Sequence, residues 1–250
     1  MLPIPPAPAP APAPAHVADN SAPCFNDADF QEGTVLEFEA VKPGASTTAT
    51  PFKRKSVTEG REAFSGANPI AFNVGSEAIS VSQFEQSTIK KEFKDSVGGN
   101  ILLYGKATTV KIKVTPPPGA STPPSEWNSI SSQAYAPPIT FPVDMKPGQV
   151  VSQQTSFTKT ETSNGTIDST SSLPATGELT YHGREKLETP LGTFDTCKFS
   201  LKVTVGTAPL AKVIVNEIWQ ASEGPYRGQV LKGIDPKSPM LATKMTYSPK

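Results

Sequence analysis

From Cys24 onward the apolar residues fall into short runs with a period of two, and that alternation decides what the chain can become. In Val110-Lys111-Ile112-Lys113-Val114 apolar and charged residues alternate strictly. From Phe194 to Val205, Cys197, Phe199, Leu201, Val203 and Val205 stand on one parity against Thr196, Lys198, Ser200, Lys202 and Thr204 on the other. Successive side chains of a strand point to opposite faces, so each run is a strand with one apolar and one wet face. Turn signals divide the runs: Lys42-Pro43-Gly44, Gly98-Gly99-Asn100, Lys146-Pro147-Gly148, Asn164-Gly165 and Thr189-Pro190-Leu191-Gly192. Short strands between regular turns predict an all-β chain, a curved antiparallel sheet or half-barrel.

One stretch could be either kind of element. Phe84, Ile89, Phe93 and Val97 are four or five residues apart, the stripe of an amphipathic helix. The glycine pair Gly98-Gly99 and the apolar run Ile101-Leu102-Leu103-Tyr104 that follows favour a hairpin.

Residues Met1 to Ala15 hold seven prolines and five alanines and no charge. Such a segment takes extended polyproline conformers and cannot bury a core. It lacks the basic and apolar regions of a secretory signal and reads as a tether able to hold the chain to a membrane. A second composition break spans 116–138, where seven prolines and five serines accompany a single charge, Glu126. The reading is a Pro/Ala-rich tether over 1–23, a first β half over 24–115, a Pro/Ser-rich linker or crossover loop over 116–138, and a second β half over 139–250. The two halves are separate domains or parts of one sheet; the paucity of large apolar residues in each favours one sheet. Between Val151 and Thr176 thirteen of 26 residues are Ser or Thr, centred on Asn164-Gly165. This is the composition of a polar hairpin held by its backbone ladder.

Charge narrows the function. Twenty-three basic and 23 acidic side chains cancel, so nucleic acid, whose phosphates need a basic footprint, is not an expected partner. No stretch approaches the ~18 consecutive apolar residues of a spanning helix. The two histidines, His16 and His182, leave little for an imidazole metal site, and no metal or cofactor is expected. His182 is the one imidazole outside the Pro/Ala head, so any Ser–His or Cys–His pair must use it. Glu185 with Glu188, and Glu217 beside Trp219, are the carboxylates available for acid–base work, though strand-surface glutamates are common. No glycine-flanked serine elbow, phosphate loop or zinc-spaced cysteine set is present. The runs Lys53-Arg54-Lys55 and Lys90-Lys91, with Glu59, Glu62 and Glu92 nearby, read as face charges that discourage sheet-to-sheet pairing, or as a contact for an anionic headgroup.

The region Glu178 to Ile234 carries a recognisable pattern: Tyr181-His182-Gly183-Arg184-Glu185, then Thr189-Pro190-Leu191-Gly192-Thr193-Phe194-Asp195-Thr196-Cys197-Lys198, then Trp219, then Gly228-Gln229-Val230-Leu231-Lys232. It resembles a family of proteobacterial exported β-proteins of unknown function that are related in shape to lipoprotein-carrier-like half-barrels. The match spans 57 of 250 residues and departs from the family at Gln220 to Arg227. The resemblance implies a periplasmic or outer-membrane-associated protein and supplies no catalytic residues.

An exported chain with one pair of cysteines implies a disulfide between Cys24 and Cys197, two buried thiols being the alternative. The expected function is a non-enzymatic envelope module that holds a partner protein or an apolar ligand on a curved sheet, with Leu36, Phe38, Ile101, Leu103, Phe199, Leu201 and Trp219 at the binding face. A structural or assembly component of a cell-surface apparatus is the alternative, and a hydrolase with an unrecognised site a third. The sequence leaves the oligomeric state open.

Overall fold

The computed structural model describes residues 19–43, 51–121, 123–233 and 240–250; the Pro/Ala stretch assigned to a tether lies outside them up to residue 18. Among the described residues twelve antiparallel strands follow in chain order: β1 Val35–Val41, β2 Phe52–Arg61, β3 Ile70–Val81, β4 Phe84–Val97, β5 Asn100–Val114, β6 Ser125–Pro142, β7 Val150–Ser163, β8 Thr166–Thr189, β9 Gly192–Val205, β10 Lys212–Ala221, β11 Val230–Gly233 and β12 Met240–Ser248. Each pairs with its chain neighbours, and β1 pairs with β12, which closes the sheet into a barrel. The Phe84–Val97 stretch is a strand, turned into β5 by Gly98 and Gly99 at φ +57° and +74°. Asn164 and Gly165, at φ 49° and 81°, make the two-residue turn between β7 and β8 whose positive φ angles match strand twist.

The linker assigned to 116–138 is overturned in its second part: from Ser125 the chain is strand, paired with β5 on one side and β7 on the other. The prolines fit because Pro137 and Pro138 fall in a bulge, between the pairs Gly105↔Ala134 and Leu103↔Ile139, where the ladder to β5 is interrupted. Gly105 permits that bulge. At φ +145°, a Cβ there would lie 2.0 Å from the Gln133 carbonyl oxygen. The β5–β6 ladder joins the two halves into one continuous sheet.

Residues 20–33 line the inside, so the tether assigned to 1–23 is overturned at its C-terminal end, where Ser21 is buried and Ala22–Cys24 form a 3-10 turn. Ser21 Oγ donates to the Val143 carbonyl at 2.8 Å and accepts from Met145 N–H at 2.9 Å, in the β6–β7 turn. Cys24 is disulfide-bonded to Cys197 on β9, 173 residues away. Phe25 packs on Phe199, centroids 5.7 Å apart, and Phe30 edge-on to Phe72 of β3 at 5.6 Å. Thr58 of β2 donates to the Asp29 carbonyl, and Tyr247 of β12 to the Asp29 carboxylate. A chain covers at most about 3.5 Å per residue, so so short a segment touches strands around the ring only from the concave side. The faces it touches are therefore interior: Thr58, Phe72, Cys197, Phe199 and Tyr247.

Cross-strand partners share a face, so register extends this assignment. The interior base is packed by Met145, Leu179, Tyr181, Cys197 and Phe199, and above them by Ile139, Ala175, Val203 and Val205. The opposite face of β7 to β9 is mostly hydroxyl and charge, with Ser156, Thr158, Thr160, Ser172, Glu178, Ser200, Lys202 and Thr204 beside the exposed Val150 and Ile167. A barrel spanning a membrane turns an apolar band outward. Among the described residues no helix is long and apolar enough to cross one.

The barrel does not close along its whole height. The β2–β3 ladder ends at Val57↔Asn73 while β3 runs on to Val81. On the other side β11 meets β10 only at Ile218 to Gln220, although β10 begins at Lys212. The base is thus a closed ring, and above it β3 to β10 continue as a curved eight-stranded sheet.

Candidate functional site

The concave face of that upper sheet is the candidate site. Interior parity runs along β6 from Tyr135 through Gln133, Ser131 and Ser129 to Trp127, which faces Ile112 of β5; Val114 faces Phe84, which faces Val81. On the other wall Leu173 faces Phe157, and Ile214 faces Val203. These apolar side chains continue the core upward yet are wet: Val81 is 62% exposed, Ile79 51%, Leu173 47% and Ile214 41%. Apolar side chains left exposed on one concave face depart from ordinary burial; on the convex parity Val150, Ile167, Val213 and Val215 are exposed as well, among mostly hydroxyl and charged neighbours. Two shallow hollows line the sheet, about 500 Å³ over Ala136, Ser156, Leu173 and Pro174 and about 250 Å³ over Glu37, Phe38, Lys53 and Arg54.

Charge lies lower on the β2–β5 wall. Thr58, Phe72, Glu92 and Lys106 form one interior row across four strands, with Arg54 on the same parity as Thr58. Glu92 accepts from Lys94 Nζ at 2.9 Å and from Arg54 Nη2 at 3.4 Å, and Lys94 rests 4.8 Å above the Phe72 ring. Lys94, then Arg54 and Lys106, hold the Glu92 carboxyl at about 2 against the opposing effect of desolvation. Glu92 is ringed by protein yet its side chain keeps 31% of its exposure, as a group facing a wet interior does. On the next two strands, β6 and β7, Lys159 Nζ lies 2.7 Å and Ser131 Oγ 3.0 Å from Glu161.

The run Lys53-Arg54-Lys55 is divided by strand alternation. Lys53 and Lys55 pair outside with Glu39 and Glu37, while Arg54 points in. Lys91 bonds Glu59 and Glu62, and Lys90 bonds Glu77.

The seven residues expected at the binding face divide between clusters. Leu103 and Leu201 join the Ile139 cluster, Phe199 and Leu201 the Tyr181 cluster, and Ile101 is buried beside Phe141 in the register. Leu36, Phe38 and Trp219 belong to a third cluster around Leu231 and Met245. Trp219 faces Lys198, the parity opposite Phe199, where Lys198 and Lys232 cover its ring at 4.9 and 4.1 Å and Glu185 accepts its indole N–H. All seven are packed or half-packed. The accessible apolar residues, Ile79, Val81, Val114, Trp127, Leu173 and Ile214, were outside the expectation. The alternation of Val110, Ile112 and Val114 marked their face but not that it stays wet.

His182 Nε2 lies 2.6 Å from Ser200 Oγ on the exposed convex face. Among the described residues no carboxylate bonds the ring, so the pair lacks the third group that orients a nucleophilic site. Glu185 is engaged by Trp219, and Glu217 by Lys198 at 3.7 Å. Among the described residues no His, Cys, Asp and Glu group is arranged to hold a metal ion.

No family model matches the chain, and no curated protein or solved structure shows a significant similarity to it. Function is therefore read from the site itself.

Proposed function

We propose that the chain is a non-enzymatic binding module of a bacterial envelope, periplasmic or outer-membrane associated, that holds an apolar ligand on the concave face of β3 to β10. The observation that carries the reading is the coincidence of exposure and parity. Val81, Ile79, Leu173, Ile214, Trp127 and Val114 all lie on the interior face above the closed base. Covering them with an acyl chain gains about 25 cal/mol per Å² of apolar surface removed from water. The disulfide accords with an oxidising compartment, and the Glu178 to Ile234 resemblance with export.

The test is titration with a neutral fluorescent long-chain alcohol below its micellar concentration. Saturable binding lost in Leu173→Asn/Ile214→Asn, with unchanged melting temperature, supports the reading. Absence of saturable binding, or binding indifferent to the double substitution, removes it.

A second reading, an assembly component, has one observation of its own. Val213, Ile214 and Val215 are 53, 41 and 40% exposed on a strand whose outer edge, among the described residues, has no partner over Lys212–Glu217. Such an edge can accept a strand from another chain. Mass that rises with concentration and returns to one chain on Val215→Lys would favour it.

A further inference from the structure

The interior is not uniformly apolar, and the uneven distribution of its charge selects among apolar ligands. On the wall from β2 to β5, Arg54, Lys94 and Lys106 face one carboxylate, Glu92. Lys94 takes one oxygen of Glu92 and Arg54 the other, at a longer distance. Lys106 stands opposite Glu92 in the register, exposed, and makes no ion pair among the described residues. The Arg54 Nε–H is buried without a hydrogen-bond partner. The group thus has two positive charges beyond what Glu92 neutralises, and a donor that awaits an acceptor. Like charges gathered in a partly desolvated interior repel one another. On the convex face, by contrast, Lys53, Lys55, Lys198 and Lys202 each have a carboxylate within 4 Å.

Resting on the reading above, we infer that the ligand is an amphiphile with an anionic headgroup, a carboxylate or phosphate on a long alkyl chain, seated head-down between Arg54 and Lys106. Arg54 offers the planar fork that suits oxyanions, and Lys106 a mobile point charge beside it. Lys94 is already held by Glu92 and Phe72, so it supplies field rather than a free donor. The alkyl chain then has a path upward. From Lys106 to Val114 is eight residues of β5, about 26 Å at roughly 3.3 Å per residue, and this path ends among Val114, Trp127 and Val81. Between lie Thr108, Ser131 and Glu161 on the same face. The apolar route therefore runs across the sheet, toward Tyr135, Phe157 and Leu173, which lie one same-face step from the Lys106–Gln133–Lys159 row.

The experiment compares three ligands of one chain length, hexadecanol, hexadecanoate and hexadecyl phosphate, on the full chain by titration calorimetry at low salt and at 0.5 M NaCl. The wild-type chain is expected to bind one or both anions about tenfold or more tightly than the alcohol. Added salt should narrow that gap. Lys106→Gln and Arg54→Gln should each weaken the anions about three- to tenfold and leave the alcohol unchanged. The preference between carboxylate and phosphate identifies the source of the headgroup. Equal affinity for alcohol and anions, or an equal loss for both in Lys106→Gln, overturns the headgroup assignment while the trough stands. If none of the three binds, the trough and the headgroup fall together. Leu173→Asn separates the two sites, since it should weaken all three ligands alike.

Discussion

The two ends of the barrel are made by the same strands and obey different rules. On β9, Cys197 and Phe199 at the base are 0 and 2% exposed, and on β10, four residues above Ile218, which faces Phe199, Ile214 on the same interior parity is 41% exposed. Both regions have the alternation of a two-faced sheet. What separates them is closure: at the base all twelve strands meet and residues 20–33 fill the space, whereas above it β1, β2, β11 and β12 have ended. A curved sheet buries its concave face only if something lies against it. At the base the chain supplies that filling itself; above, it supplies none among the described residues. The base should therefore carry the stability and the upper trough the binding, and substitutions can separate the two.

The largest effect is expected from Gly105→Ala. The added methyl would sit 2.0 Å from the Gln133 carbonyl, backbone against backbone, at a φ that L residues rarely adopt. The β5–β6 bulge cannot relax without breaking the ladder that joins the two halves, so this variant should lose its cooperative melting transition, followed by circular dichroism. Retention of the wild-type melting temperature would show that the bulge is not fixed as described.

Next comes the bond that ties the filling to the wall. Cys24→Ser/Cys197→Ser frees a loop of 173 residues, and chain-entropy arithmetic places the loss at up to about 5 kcal/mol. The urea midpoint should fall accordingly, and amide exchange should accelerate first around Ser21, Met145 and Tyr181. In whatever fraction remains folded, affinity for the alcohol probe should be unchanged, because Leu173 and Ile214 lie outside the Cys24 cluster.

A smaller effect distinguishes the two interiors by pH. Glu92 has its carboxyl lowered to about 2 from 4.5 by the neighbouring Lys94, so its contribution to stability is complete above pH 4.5 and is lost as pH falls through about 2. With the side chain 31% exposed, solvent screening leaves about 1–2 kcal/mol. Asp29, within the filled base, moves the other way: burial raises it despite the donated bonds of Tyr247 and Gln229. Its contribution is present at low pH and is lost as pH rises through the raised value. The urea midpoint of Glu92→Gln should therefore fall below wild type at pH 7 and approach it near pH 3, while Asp29→Asn should gain on wild type as pH rises.

The same contrast explains what the sequence disclosed. β5 and β9 were legible because alternation and turn residues agreed, as in the Phe194 to Val205 run; β7 and β8 followed from hydroxyl-rich composition around Asn164-Gly165, and β4 only as the favoured of two readings, through the glycine pair after it. The pairing of Cys24 with Cys197 was legible from their number and an inferred compartment. β6 was not, since its Ser-rich length has few apolar residues and its prolines argue against a strand; it exists because β5 and β7 offer ladders on both sides. The filling segment was not, because its two 3-10 turns, Ala22–Cys24 and Asp27–Phe30, have no period to detect. For the site, alternation identified an apolar face but not where it stays uncovered. That depends on where β2 and β11 stop relative to β3 and β10, a property of register between distant strands.

The smallest expected effect on stability is the one most informative about function. Trp127 is 40% and Ile214 41% exposed on the concave face, and each faces a neighbour, Ile112 and Val203, that is already held by its own strand pairs. Trp127→Ser and Ile214→Ser remove apolar surface that water already reaches, so neither opens a buried cavity, and surface substitutions of this kind cost within about 0.5 kcal/mol. The matched change one register pair away, Val203→Ser, places a hydroxyl in the packed Ile139 cluster and should cost about 2 kcal/mol or more. If the trough is a binding face, Ile214→Ser loses affinity for the neutral probe several-fold at an unchanged urea midpoint. If instead Ile214→Ser destabilises as Val203→Ser does, the upper sheet is covered in solution, and the distinction between a filled base and an open trough disappears.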